Sequence, residues 1–339
     1  MYRGVMEYKR IAHPRRSAVL RTTAFAMAGV VLLLAVAKVA DLVNPEPAVG
    51  HWRDESARSR YLAAYDEVLV SVPAPDQAKD VFTSFGSAHV LVWKAPGDAT
   101  PVVLVPGHSS GAPMWTENLP HWIGKRTIYA LDPIGDAGLS SNTVPLRLAQ
   151  DQARWVAEAI TGLGLSKVHV VGHSFGGAVA AQLAVDHPGL VASLSLAEPV
   201  VVVSSLPASM YLWATILLLP TPQSWRDRAM AEIGGTTIEE VRAKSPMSEL
   251  VDSASRGYSA ALPMPKELSD EQWRALSMPV RLDVGSASEI AGGQVSVDRI
   301  RSLLPQATAK TWPTATHSLP MDEHQAWSDE VTAFWLAAD

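Results

Sequence analysis

The stretch "KVHVVGHSFGGAVAAQLAVDHP", residues 167–188, joins a run of β-branched residues to a Gly-His-Ser-Phe-Gly pentapeptide and then to a series of small helix formers. A strand that is apolar on both faces is expected in a parallel sheet covered by helices on each side. Gly172 and Gly176 permit a strand-to-helix turn too tight for side chains, and such a turn leaves Ser174 projecting above the sheet in a strained backbone conformation. The helix N-terminus behind the serine favours developing negative charge. With a strand before it and a helix after it, G-x-S-x-G reads as a nucleophile elbow.

Working outward, short β-branched runs alternate with helical stretches from about residue 78 onward. "HVLVW", "PVVLVPG", "TIYALDP", "ASLSLAEP", "PVRLDVG" and "AKTWPTATH" read as strands, and "PLRLAQDQARWVAEAITGLG", "VSVDRIRSLLPQ" and "DEHQAWSDEVTAFWLAA" as helices. The alternation predicts an α/β class with a doubly wound, mostly parallel sheet. Ligands in such sheets bind at the carboxyl ends of the strands.

The 339 residues suffice for one large domain with an insertion, and an apolar content of 47% excludes a mostly disordered chain. A net charge of -6 without a basic run in the body of the chain argues against a nucleic-acid partner. The absence of Cys removes disulfides, thiolate nucleophiles and cysteine zinc sites together.

Residues 22–37, "TTAFAMAGVVLLLAVA", form an uninterrupted apolar stretch behind Arg3, Lys9, Arg10, Arg15, Arg16 and Arg21. Lys38 can snorkel and let the segment extend to residue 43. Residues 1–21 then read as a basic cytoplasmic tail, and residues 22–43 as a single-pass membrane anchor that leaves the rest of the chain outside the cytoplasm. A signal segment cleaved after "AVA", giving a secreted protein, is the alternative, and a buried globular helix a third. Residues 44–77 follow as a linker, "NPEPAVGHWRDESARS", and a lead-in helix, "RYLAAYDEVLVSV".

"VVLVPGHSSGAPMW" ends an earlier strand with a Gly that lets backbone N-H groups turn toward the nucleophile. Together these stretches resemble the α/β-hydrolase fold family, in its serine hydrolase, carboxylesterase-like branch, over roughly residues 78–339. The resemblance implies that Pro106 and Gly107 close the oxyanion strand and that the amides of His108 and Phe175 form the oxyanion hole. The His108 ring is read as a polar group lining the pocket. In "TWPTATHSLPMDEHQAW" the family's pattern of a His, an acid five residues on and an aromatic ten on is met by His317, Asp322 and Trp327, which makes His317 the general base. Trp327 and Phe334 should face the core.

The acid that orients His317 should lie between Ser174 and His317 and follow a strand. Glu289 in "DVGSASEIAGG" is the first candidate, although the family's usual position, three residues after the Gly, is Ser288 here. Glu198 in "LSLAEPV" is the alternative, at the end of the preceding strand, where some haloalkane dehalogenases of this fold carry their acid. The resemblance further implies a hydrolase core over residues 78–198 and 279–339, a helical lid over residues 199–278, and the family's Asp-Gly-Ser loop in "TIYALDPIGDAGLSS". The lid's "SMYLWATILLLP" is expected to pack against the core rather than to line an acyl pocket.

The implied activity is a serine hydrolase acting on an ester or related acyl bond of a small molecule, with no cofactor and no metal. Acyltransferase, thioesterase and carbon-carbon bond hydrolase use the same site, and an inactive membrane-tethered binding module is the alternative of another class. Ser at the elbow argues against the Asp-based dehalogenase and epoxide-hydrolase chemistry of the family.

Overall fold

A computed structural model describes residues 48–219, 221–243 and 245–339. The strands are β1 (His51–Trp52), β2 (Gln77–Thr83), β3 (Gly86–Trp93), β4 (Val102–Val105), β5 (Ile128–Leu131), β6 (Ser141–Asn142), β7 (Val168–His173), β8 (Val191–Ala197), β9 (Tyr258–Ser259), β10 (Val280–Gly285) and β11 (Thr308–Trp312). The longer helices are α1 (Glu55–Leu69), α2 (Ala149–Gly162), α3 (Ser174–Asp186), α4 (Ala208–Leu218), α5 (Gln223–Gly234), α6 (Pro246–Gly257), α7 (Gly293–Leu303) and α8 (His324–Ala338).

Eight strands run across the main sheet in the order β11-β10-β8-β7-β4-β5-β3-β2, and β6 pairs with β3. The pairings from β11 to β5 are parallel, while β3 is antiparallel to its neighbours β5, β2 and β6. Every residue of β4, β7, β8 and β10 is buried, which accounts for their continuous apolar runs. The two faces are read off β4 directly: Val103 and Val105 join a core with Trp155 of α2 and the small residues of α3, while Val102 and Leu104 join one with Tyr61 of α1 and Trp327 of α8. Helices on both faces make the sheet doubly wound, as its sequence pattern predicts.

On the α8 face four indoles pack together. Trp327 lies 6.3 Å from Trp115 and 5.8 Å from Trp122, and Trp122 lies 5.3 Å from Trp335. Trp335, not Phe334, takes the fully buried position in α8; Phe334 packs against the cluster partly exposed. Beneath the cluster, buried Asp283 accepts hydrogen bonds from the Nε1 groups of Trp312 and Trp327, both at 2.9 Å, and forms a two-point ion pair with Arg281 at 2.6 and 2.9 Å. Asp283→Ala would leave the buried guanidinium with Glu330 in place of two carboxylates and both indoles without their acceptor. We expect it to lower stability by about 3–5 kcal/mol in urea denaturation.

The region expected to be a linker is folded from residue 51 on. β1 pairs with β9, and α1 starts five residues before the stretch expected to be helical, because Asp54 caps it by accepting from the Ala57 amide at 2.7 Å. Tyr65 of α1 then reaches buried Asp132 at 3.1 Å, which ties this helix to the loop after β5. The polar residues that give the segment its linker character are the exposed face of α1.

Between β8 and β10 the chain forms α4, α5 and α6 with two short helical turns at Ile238–Arg242 and Asp270–Arg274. Within the apolar stretch of α4, expected to pack on the core, Met210 is buried, but Tyr211 and Leu212 are 53% and 58% exposed. At the end of α5, Gly235 adopts φ +66°, and a Cβ there would stand 2.2 Å from the Ala287 carbonyl oxygen. The expected membrane segment, residues 22–43, lies outside the described residues, and among the described residues no helix is long and apolar enough to cross a membrane.

Candidate active site

Ser174 opens α3 directly from the end of β7 at φ +53°, a left-handed conformation that a non-glycine residue holds only where its surroundings impose it. Those surroundings are tight. A Cβ on Gly176 would stand 2.2 Å from the Pro106 carbonyl oxygen, and one on Gly172 would stand 2.5 Å from that of Gly176. The elbow therefore needs both glycines for close packing, and the serine hydroxyl is left at the carboxyl edge of the sheet.

Ser174 Oγ lies 2.9 Å from His317 Nε2. His317 Nδ1 lies 3.1 Å from Glu198 Oε2, and that carboxylate is fully buried. A carboxylate at Nδ1 fixes that nitrogen as the donor and leaves Nε2 free to accept the serine proton. Glu198 directly follows β8 and also sits at positive φ, +50°. Its Oε1 accepts from the Gly285 amide at 2.5 Å, and its Oε2 accepts from Ser288 Oγ at 2.6 Å.

Glu289, the first candidate in sequence, does not meet His317. Its side chain is exposed beside α4 and α5, in a surface hollow it shares with Trp213 and Arg228, and its carbonyl accepts from Gly292. The physical reason is register. β8 and β10 are parallel neighbours with Ala197 opposite Asp283, so position 198 stands beside the end of β10, and the loop after Gly285 turns Ser288 inward and Glu289 outward.

His108 and Phe175 border one small cavity beside the elbow. Phe175 lies in the first turn of α3, where N-H groups lack an intrahelical acceptor. On the opposite wall the neighbours of the His108 amide are engaged, Gly107 with Met114 Sδ at 3.3 Å and Ser109 with Asp136 at 2.7 Å. The His108 ring is held by buried Asp136, 2.9 Å from Nδ1. Desolvation disfavours the charged ring, but the Asp136 charge and hydrogen bond outweigh it and raise His108 above the ordinary histidine range. Among the described residues no cluster of side chains is arranged to hold a metal.

Residues 102–331, more than half of the chain, match the Alpha/beta hydrolase family. The chain belongs to that family. This α/β-hydrolase is 26% identical to the uncharacterized carboxylesterase nap of Bacillus subtilis (strain 168) over 82% of its own length and 93% of that protein. It is 24% identical to carboxylesterase YbfK of the same organism over 81% of its length and 93% of the relative. Among solved structures, naproxen esterase (carboxylesterase NP) from Bacillus subtilis superposes with a TM-score of 0.72 at 25% identity, covering 82% of this chain and 97% of that one.

Around its site the α/β-hydrolase holds three groups whose contacts no motif announces. Asp136 stands in "TIYALDPIGDAGLSS", a stretch that is legible as a family loop but not as a clamp for His108. Asp322, legible only as a pattern match, accepts from the amide and hydroxyl of Thr316 at 3.0 and 2.6 Å and so anchors the turn before His317. His173, the spacer residue of the elbow, donates from Nε2 to the His317 carbonyl at 2.8 Å, while the His317 amide donates to Gly234 at the end of α5 at 3.0 Å. The main chain of the general-base candidate is thus held from both sides.

Burial, with a smaller contribution from the neighbouring His317, pushes the His173 ring down to about 3. His169, buried beside Arg126 at the other end of β7, is pushed down to about 4, mainly by burial. Both rings bind a proton more readily in the unfolded chain, so their contribution is complete above the ordinary histidine value and is lost as pH falls through 4 toward 3. We expect urea-unfolding stability to decline between about pH 7 and about pH 4.5. His173→Gln, which keeps a donor toward the His317 carbonyl, should show a shallower decline, and an unchanged slope would contradict the assignment.

Proposed function

We propose that this α/β-hydrolase is a serine carboxylic ester hydrolase that works through an acyl-enzyme on Ser174. The observation that carries the reading is the continuous relay from Ser174 Oγ through His317 to buried Glu198, at 2.9 and 3.1 Å. Its similarity to two carboxylesterases over about four-fifths of the chain supports the substrate class.

In this reading Ser174 Oγ attacks the ester carbonyl carbon while His317 Nε2 takes its proton. The oxygen that gains negative charge accepts from the amides of His108 and Phe175. Collapse of the tetrahedral intermediate breaks the bond to the alcohol oxygen, which leaves with the proton from Nε2. Water then attacks the acyl-enzyme, gives its proton to Nε2, and the carboxylic acid departs as that proton returns to Ser174. Glu198 holds Nδ1-H throughout and stabilises the imidazolium.

The helices between β8 and β10 act as a lid in this reading. The half-exposed apolar surface of α4 is not taken up by core packing, which leaves it available to a substrate's acyl or aryl group. Residues 22–43 anchor the domain on the outer side of a membrane; protease shaving of intact cells should remove the domain, and a protected domain would overturn that placement.

A fluorophosphonate should label the intact protein and leave Ser174→Ala unlabelled, and the protein should hydrolyse at least some of a series of aryl esters from acetate to long acyl chains. No labelling and no hydrolysis across the series would sink the enzyme reading.

A further inference from the structure

The carboxylate of Glu198 is gripped from the loop that follows β10. β8 supplies the acid, and β10 with its following loop supplies two donors to it, the Gly285 amide on one oxygen and the Ser288 hydroxyl on the other. The oxygen that accepts from Ser288 at 2.6 Å is the same one that faces His317 Nδ1 at 3.1 Å. Ser288 is itself buried, 4% exposed, so no solvent competes for that hydroxyl. Glu198 reaches this place only by holding a left-handed backbone, φ +50°, at the strand end. A glutamate side chain has three rotatable bonds, and the two donors select the rotamer that presents Oε2 to the imidazole.

We propose that Ser288 is a positioning residue for the general base, acting through Glu198. This inference rests on the serine hydrolase reading above. Ser288 Oγ and His317 Nδ1 share one carboxylate oxygen, so the hydroxyl bears directly on the atom that holds the imidazole.

The test uses the full chain, p-nitrophenyl acetate as substrate and thermal melts of every variant. Ser288→Ala should lower kcat about tenfold with KM changed by less than about twofold, the size expected for one lost hydrogen bond to a charged acceptor that matters after substrate is bound. Ser288→Thr keeps the hydroxyl and should stay within about threefold of the parent. Wild-type kcat in Ser288→Ala, or a Ser288→Thr no faster than Ser288→Ala, would each overturn the proposal. A parent protein that neither hydrolyses esters nor takes up a fluorophosphonate is the separate failure of the enzyme reading.

Discussion

His317→Ala is expected to reduce kcat on a simple aryl ester by about a millionfold, the largest loss of any single substitution in this chain apart from Ser174 itself. Without the imidazole, Ser174 keeps its position but has no acceptor for its proton, because Nε2 is the ring nitrogen 2.9 Å from its oxygen. What survives is binding and the oxyanion amides of His108 and Phe175, which together sustain a small residual rate over water. The substitution leaves the local backbone held, since the hydrogen bonds to His173 and Gly234 are made by the main chain of residue 317. The variant should therefore melt cooperatively near the parent temperature, and spectrophotometric turnover checks the rate. A loss of less than about tenfold would remove His317 from the mechanism.

The second expectation separates two carboxylates. Glu198→Gln should lower kcat by about ten-thousandfold, because the amide keeps the shape of the side chain but no longer fixes Nδ1 as the donor or balances the imidazolium. Glu289→Ala should stay within about twofold of the parent, as an exposed side chain away from the ring has nothing to contribute to it. The Gln variant isolates charge from packing: Glu198 is fully buried at positive φ, so truncation to Ala would mix a cavity and backbone strain into the result. Equal losses at 198 and 289, or the reverse order, would return the acid to the β10 loop.

The contrast between these two residues marks where sequence reading stops. The elbow is legible because its chemistry is local: one strand, two glycines and one helix start force Ser174 into place, and the chain segment shows all of them. His317 is legible because it follows the last strand at the family's spacing. The acid depends on which of two adjacent parallel strand ends reaches the imidazole. That is decided by the register of Ala197 against Asp283 and by the inward turn of Ser288, neither of which leaves a pattern along the chain. The segment from residue 51 reads as a linker for a related reason. Its one strand has two residues and pairs with Tyr258–Ser259, some two hundred positions away, so nothing local announces it.

The contact of Gly235 with the loop after β10 bears on how such enzymes can be altered. The Gly234 carbonyl holds the His317 amide and Gly235 presses on Ala287, so the helical segment between β8 and β10 is bolted both to the loop that carries His317 and to the loop after β10 that grips Glu198. Exchanging that whole segment for a homologue's to obtain a new preference for acids or alcohols would loosen this bolt unless residues 234–235 and 285–288 travel together as one cassette.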